Sequence, residues 1–266
     1  RGSGKDVCGL KNLWNSFKIA FAMFSKIPMP QADWSEENMR YMLCFFPFVG
    51  AAVGAVTLMA EWICRYSGIS NGFTAAVLVL VPVIVTGGIH VDGLLDTSDA
   101  LSSWQERTRR LEILKDSHAG AFAIITACVY FILWLGAWDQ LLGNYEGICI
   151  MSLGFMMSRC LSGIGVITFP KARTDGTVAE FSRNASEIAV RNVLITMFVI
   201  LAVLMIWVDP VLGVLAAVSA LLVFWWYHHM ALKYFGGTTG DLSGFFLCIC
   251  EVVMALVLAF GGAFNL

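Results

Sequence analysis

Charge is what this 266-residue chain has least of. Asp, Glu, Lys and Arg make up 14% of it, against about 25% in a typical soluble domain. The net charge is −2, with no acidic or basic tail, and nothing resembles the clustered basic face that nucleic-acid binding needs. There is no CxxC among the 8 cysteines. Most of them sit in apolar runs, where a free Cys acts as a small hydrophobe, so a metal or disulfide framework is not expected. P-loop and HExxH motifs are absent. Residues 1–20 hold no apolar core of the kind a cleavable signal peptide carries. What is abundant is apolar surface. Hydrophobic residues make up 58% of the chain, which points to an all-α, polytopic integral membrane bundle.

A membrane helix needs about 20 mostly apolar residues. Seven stretches qualify, near 43–63, 73–91, 119–138, 147–167, 192–208, 211–229 and 242–262. Asp209–Pro210 separates the fifth from the sixth and predicts a tight hairpin, because proline cannot continue the preceding helix. Lys5, Lys11, Lys18, Lys26 and Arg40 precede the first span. Arg107, Arg109, Arg110 and Lys115 lie in the 92–118 loop, and Lys171, Arg173, Arg183 and Arg191 in the 168–191 loop. The opposite loops hold only Arg65. The positive-inside rule then sets the N-terminus in the cytoplasm.

Residues 1–42 read as a cytoplasmic N-terminal segment and 43–266 as one transmembrane catalytic domain. Within the segment, Leu13, Trp14, Phe17, Ala20, Phe21 and Phe24 recur at helical spacing among lysines. That pattern predicts an amphipathic helix lying in the membrane interface, with a packed surface helix as the alternative. Tryptophans flanking several spans fit an interfacial belt. Gly50 and Gly54 form a small-xxx-small pair suited to close helix packing.

Against this background, HVDGLLDTSDA at 90–100 stands out. Asp92, Asp96 and Asp99 have the i, i+4, i+7 spacing of one helix face. Three like charges on one stripe repel, and each is costly to desolvate near a membrane. A hard cation, Mg²⁺ or alternatively Mn²⁺, would neutralise oxygen-only ligands at this density. A solvated acidic helix start is the other reading, and it accounts for one or two of the aspartates. Next comes ERTRRLEILKDSHAG at 106–120. Arg109, Arg110 and Lys115 suit phosphates, and Asp116 offers a fourth carboxylate. Carboxylates, a divalent ion and nearby cations fit phosphoryl chemistry.

Arg159, inside an apolar run toward its cytoplasmic end, is a candidate substrate contact, with snorkelling as the bland alternative. Lys171, Arg173, Asp175 and Asn184 mark the 170–184 loop. GGTTGD at 236–241 reads as a close-approach loop, and Asp241 and Glu251 as acids near a membrane entry. His90, His118, His228 and His229 make no ligand set; His90 and His118 read as structural, with substrate contact as the alternative.

GGIHVDGLLDTSDAL followed by RRLEILKDSHAGAF closely resembles the signature of the cobalamin synthase family, the adenosylcobinamide-GDP ribazoletransferases. FSKIPMP (24–30), FFPFVGAAVG (45–54) and GGTTGDLSG (236–244) resemble further elements of that family. The resemblance implies a membrane enzyme of the bacterial inner membrane, acting late in vitamin B12 assembly with its active site facing the cytoplasm. It implies transfer of the GDP-activated adenosylcobinamide phosphate to α-ribazole or its 5′-phosphate, with release of GMP and a requirement for Mg²⁺. Carried over by position, Asp92, Asp96, Asp99 and Asp116 are the expected metal ligands and catalytic acids. Arg109, Arg110 and Lys115 are expected at the pyrophosphate, with Asp241 and Glu251 in the C-terminal block. On this reading the ribazole 5′-hydroxyl attacks phosphorus, and Asp116 is a candidate base. Cys248 departs from the pattern, where many members carry Glu. Whether the chain forms a homo-oligomer is left open. Two rivals remain. A CDP-alcohol phosphotransferase requires an Ala-Arg after Asp-Gly, which is missing. A cation transporter requires acids at mid-bilayer on broken helices.

Overall fold

A computed structural model describes residues 3–263, apart from 117, 174 and 175. Among the described residues the architecture is helical throughout. Helices α1 (Ser3–Phe24) and α2 (Glu36–Met39) lead through a 3-10 turn at Met42–Phe45 into α3 (Phe46–Tyr66). The order continues with α4 (Asn71–Thr86), α5 (Ile89–Ser102), α6 (Arg107–Ile113) and α7 (Ala121–Leu141). After these come α8 (Tyr145–Thr168), α9 (Thr177–Asn184), α10 (Glu187–Val208), α11 (Pro210–Phe235) and α12 (Gly240–Ala263).

Six of these are long and apolar enough to cross a membrane: α3 with its 3-10 lead-in, α7, α8, α10, α11 and α12. The expected span at 73–91 is different. It is a bent pair, α4 and α5, meeting at 94°. Gly87 (φ 67) and Gly88 (φ 78) follow one another in the left-handed region and end α4, which glycine does at little steric cost. At 16 residues α4 is about 24 Å long, nearly the depth of a bilayer core. Ile89 to Val91 therefore belong to a new helix running in another direction. The predicted hairpin between α10 and α11 forms as expected. The Asp209 carboxylate accepts from the backbone N–H of Val211 at 2.9 Å and Leu212 at 2.7 Å, with Pro210 at the first helical position.

Helices α8 and α12 are the most enclosed of the six, and α7 and α10 the most exposed. Gly50 and Gly54 let α3 press its backbone against α8 at Phe155 and Ser152; a Cβ on Gly54 would stand 2.5 Å from the Ser152 carbonyl oxygen. Helix α1 packs as well as presenting apolar surface. Ile19 and Ala20 join a core with Met42, Leu43, Val166 and Phe181, whereas Leu13 and Trp14 stay exposed. The amphipathic stripe is thus divided between tertiary packing and an open face.

Candidate functional site

The acid stripe lies on α5, as its spacing predicts. What positions it is Gly93. A Cβ there would come within 2.6 Å of the Asp241 carbonyl oxygen, and Gly244 presses back against His90. The start of α12 therefore lies directly on α5, bringing Asp241 beside Asp92. Asp92 is exposed, while Asp96 and Asp99 are half-buried. Asp92, Asp99, Asp116 and Asp241 all lie within electrostatic reach of Asp96.

The stripe is not uniform. Both oxygens of Asp99 are engaged, accepting from the N–H of Gly120 at 2.6 Å and of Ala123 at 2.9 Å. Asp99 thus caps the start of α7, taking up backbone donors that a helix N-terminus leaves unpaired. Asp116 accepts from the His118 N–H at 3.0 Å and pairs with His118 Nδ1 at 2.7 Å. These hydrogen bonds hold its carboxyl below the ordinary carboxylate range. Among the described residues, no three His, Cys, Asp or Glu side chains close a site that holds a metal ion.

The cations divide in the same way. Arg109 forms an exposed ion pair with Glu112 at 2.7 Å within α6. Arg110 lies 4.8 Å over the Tyr234 ring, and its buried Nε has no partner. Arg107, on the same short helix, packs its guanidinium against Gly236. Lys115 is exposed just past α6. Arg173 donates to the Leu111 carbonyl and keeps a buried, unpaired Nε. It lines a polar cavity of about 300 Å³ with Thr238, Thr239, Gly240 and Asp241. The loop carrying it is fastened to the GGTTGD loop: Ala172 N–H donates to Thr238 at 3.0 Å, and Thr238 N–H to Pro170 at 2.8 Å. Burial lowers the affinity of Lys171 for its proton. Asp175 lies outside the described residues, as does the Asn184 side chain.

Arg159 and Glu251 are elsewhere. They form an ion pair with each other at 2.7 Å, with side chains 0% and 5% exposed. Glu251 stands at the middle of α12, not near a membrane entry, and Arg159 lies nine residues before the end of α8. Neither lines a cavity described here. Cys248 is buried beside Tyr130 and Glu251. A carboxylate neutralised by a buried Arg is not the free mid-bilayer acid a cation pathway requires.

A second cavity, of about 180 Å³, opens next to the polar one. Phe24, Phe46 and Phe181 form walls, Asp92 and Asp241 reach its edge, and His90, Ser162 and Ser243 lie along it. These residues are far apart in the chain, so no local motif announces the cavity.

Over residues 16–259 the chain matches the family described as Cobalamin-5-phosphate synthase. It is 43% identical over 249 residues to an adenosylcobinamide-GDP ribazoletransferase of Lachnoclostridium phytofermentans, covering 93% of this chain and 95% of that one. Proteins of the same name from Desulfitobacterium hafniense and Clostridium botulinum are 32% and 28% identical, covering 97% and 92% of this chain and 98% and 96% of theirs. No solved structure matches the chain.

Proposed function

The chain belongs to the cobalamin-5-phosphate synthase family, and on that footing we propose that it is an adenosylcobinamide-GDP ribazoletransferase. It joins adenosylcobinamide-GDP to α-ribazole or its 5′-phosphate, releasing GMP and giving adenosylcobalamin or its 5′-phosphate. The family's description, which names a 5-phosphate product, supports a nucleophile other than the 5′-hydroxyl expected from the sequence. A product that keeps a phosphate at the 5′ position cannot have formed its new bond through that oxygen, so a secondary ribose hydroxyl attacks. Its oxygen bonds to the phosphorus that carries cobinamide. The bond from that phosphorus to the bridging pyrophosphate oxygen breaks, and GMP leaves with that oxygen. The hydroxyl proton passes to Asp241 at the edge of the apolar cavity, rather than to Asp116, whose Oδ1 is tied to His118.

The observation that carries this reading is the Gly93–Asp241 contact. It sets Asp92 and Asp241, 149 positions apart in the chain, beside a polar cavity holding Arg173. The all-oxygen donors fit a hard divalent cation. Asp92 and Asp96, one turn apart on α5, are the residues that would hold Mg²⁺. Asp99 and Asp116 lie further from that role, because their oxygens serve α7 and His118. When bound, such an ion supplies neutralisation of pyrophosphate charge. Arg173 and Arg110, each with a buried unpaired Nε, are the cations suited to orient phosphates, with Lys115 at the exposed rim.

The site lies at the end of the bundle where the basic loops gather. We read that end as cytoplasmic and the membrane as the bacterial inner membrane.

The test is GMP release by purified protein in liposomes, given adenosylcobinamide-GDP and α-ribazole, with and without Mg²⁺. Metal-dependent GMP and a cobalamin product, both lost in Asp96→Asn, are expected. Folded, metal-replete protein that releases no GMP overturns the reading.

A further inference from the structure

The apolar cavity is too small for a macrocycle. An engineered cavity of about 150 Å³ lined by apolar side chains takes up benzene. At about 180 Å³, this one has room for a flat one- or two-ring aromatic group, not for a corrin. Its walls suit such a guest, because Phe24, Phe46 and Phe181 surround it from three separate helices or their flanks, and aromatic groups gain from stacked or edge contacts with phenyl rings.

His90 adds a buried polar side chain to the lining. Ser162 and Ser243 satisfy each other at 2.8 Å. His90, only 9% exposed and held against Phe46 at 6.0 Å, keeps an Nε2 with no partner. A buried polar nitrogen left unpaired carries a free-energy cost that a bound hydrogen-bond partner removes. A benzimidazole joined to ribose through one ring nitrogen leaves the other as a lone acceptor. His90 in the tautomer with its proton on Nε2 donates to such an atom.

We propose that this cavity seats the aromatic base of the acceptor nucleoside, with His90 Nε2–H donating to the free ring nitrogen. The assignment rests on the transferase reading above. It fixes the acceptor's orientation: base inward among the phenylalanines, ribose outward at Asp92 and Asp241, where its hydroxyl loses a proton. The phosphates of the donor then fall to the neighbouring cavity with Arg173, which shares Val178, Gly240 and Asp241 with the first. The corrinoid ring stays outside both.

The experiment is equilibrium binding of α-ribazole to the full chain in detergent, with neither donor nor metal present, followed by benzimidazole fluorescence. The variants are His90→Phe, His90→Gln and Val166→Phe, each checked for a wild-type melting temperature; Val166 lines the apolar cavity and not its polar neighbour. His90→Phe is expected to weaken α-ribazole binding about tenfold, and His90→Gln, which restores a donor, to recover most of it. Val166→Phe fills the cavity, so it abolishes α-ribazole binding and leaves adenosylcobinamide-GDP binding unchanged. Unaltered α-ribazole affinity in folded His90→Phe and Val166→Phe overturns the assignment, as does equal weakening of both substrates by Val166→Phe. Failure of the transferase reading shows separately, as absence of GMP release by the wild-type chain.

Discussion

Arg159 and Glu251, 92 residues apart, meet at 2.7 Å inside the bundle and join α8 to α12. Arg159 Nη1 also donates to the Phe155 carbonyl at 2.7 Å, and Ser158 donates to the same Glu251 oxygen at 2.8 Å. Removing one member of such a pair strands a buried charge, at a cost of about 3–5 kcal/mol. Glu251→Gln and Arg159→Met should each lower the melting temperature sharply in detergent, and the double variant by less than their sum. A Glu251→Gln protein that melts normally but loses substrate affinity would instead return this pair to the substrate site.

Asp99→Ala should destabilise the protein by about 1–2 kcal/mol through loss of the cap on α7. Gly120→Ala should act in the same direction, because its Cβ would stand 2.7 Å from the Asp99 carboxylate. Asp96→Asn should leave thermal stability near wild type while abolishing metal-dependent GMP release. Melting curves and the GMP assay, run together, separate the structural member of the stripe from the functional ones.

A ligand that binds only the native state raises its stability with concentration. Mg²⁺ should therefore raise the melting temperature of the wild-type chain, and chelation should reverse the shift. Asp92→Asn and Asp96→Asn should show little response, whereas Asp116→Asn should retain most of it. An equal response in all four proteins would remove the ion from the start of α5.

The Asp116 carboxyl is held below its ordinary value of 3.8, first by the His118 side-chain hydrogen bond. For a carboxyl lowered on folding, the stabilisation is fully present above the unfolded-state value and disappears as pH falls through the folded one. Carbon-detected NMR titration should show Asp116 moving up toward 3.8 in His118→Ala. An unmoved titration would mean that His118 does not hold the carboxylate in solution.

Hydropathy and spacing made part of this molecule legible and hid the rest for identifiable reasons. The i, i+4, i+7 stripe is a local pattern, so its placement on one helix followed directly. The Gly50–Gly54 pair and the Asp209–Pro210 hairpin are local too. Hydropathy measures how apolar a segment is, not where it points. Ile89 and Val91 extended the second run while the chain had already turned at Gly87 and Gly88. The Gly93–Asp241 contact joins residues 148 positions apart, and neither neighbourhood names the other. The same is true of Arg159 with Glu251 and of Phe24 with Phe181. Asp99 looked identical to Asp92 in sequence, and only the position of Gly120 distinguishes their tasks.

Gly87 has a consequence of its own. Its left-handed backbone turns the chain toward the aspartates, and the Lys26 side chain lies in the space a Cβ would fill. Lys26 also donates its backbone N–H to Val85 at 2.8 Å. The heading of the acidic helix thus depends on one missing methyl group, while the exposed Lys26 side chain can swing aside. A substitution at this position turns the acids and leaves the backbone bond from Lys26 to Val85 to hold the N-terminal segment.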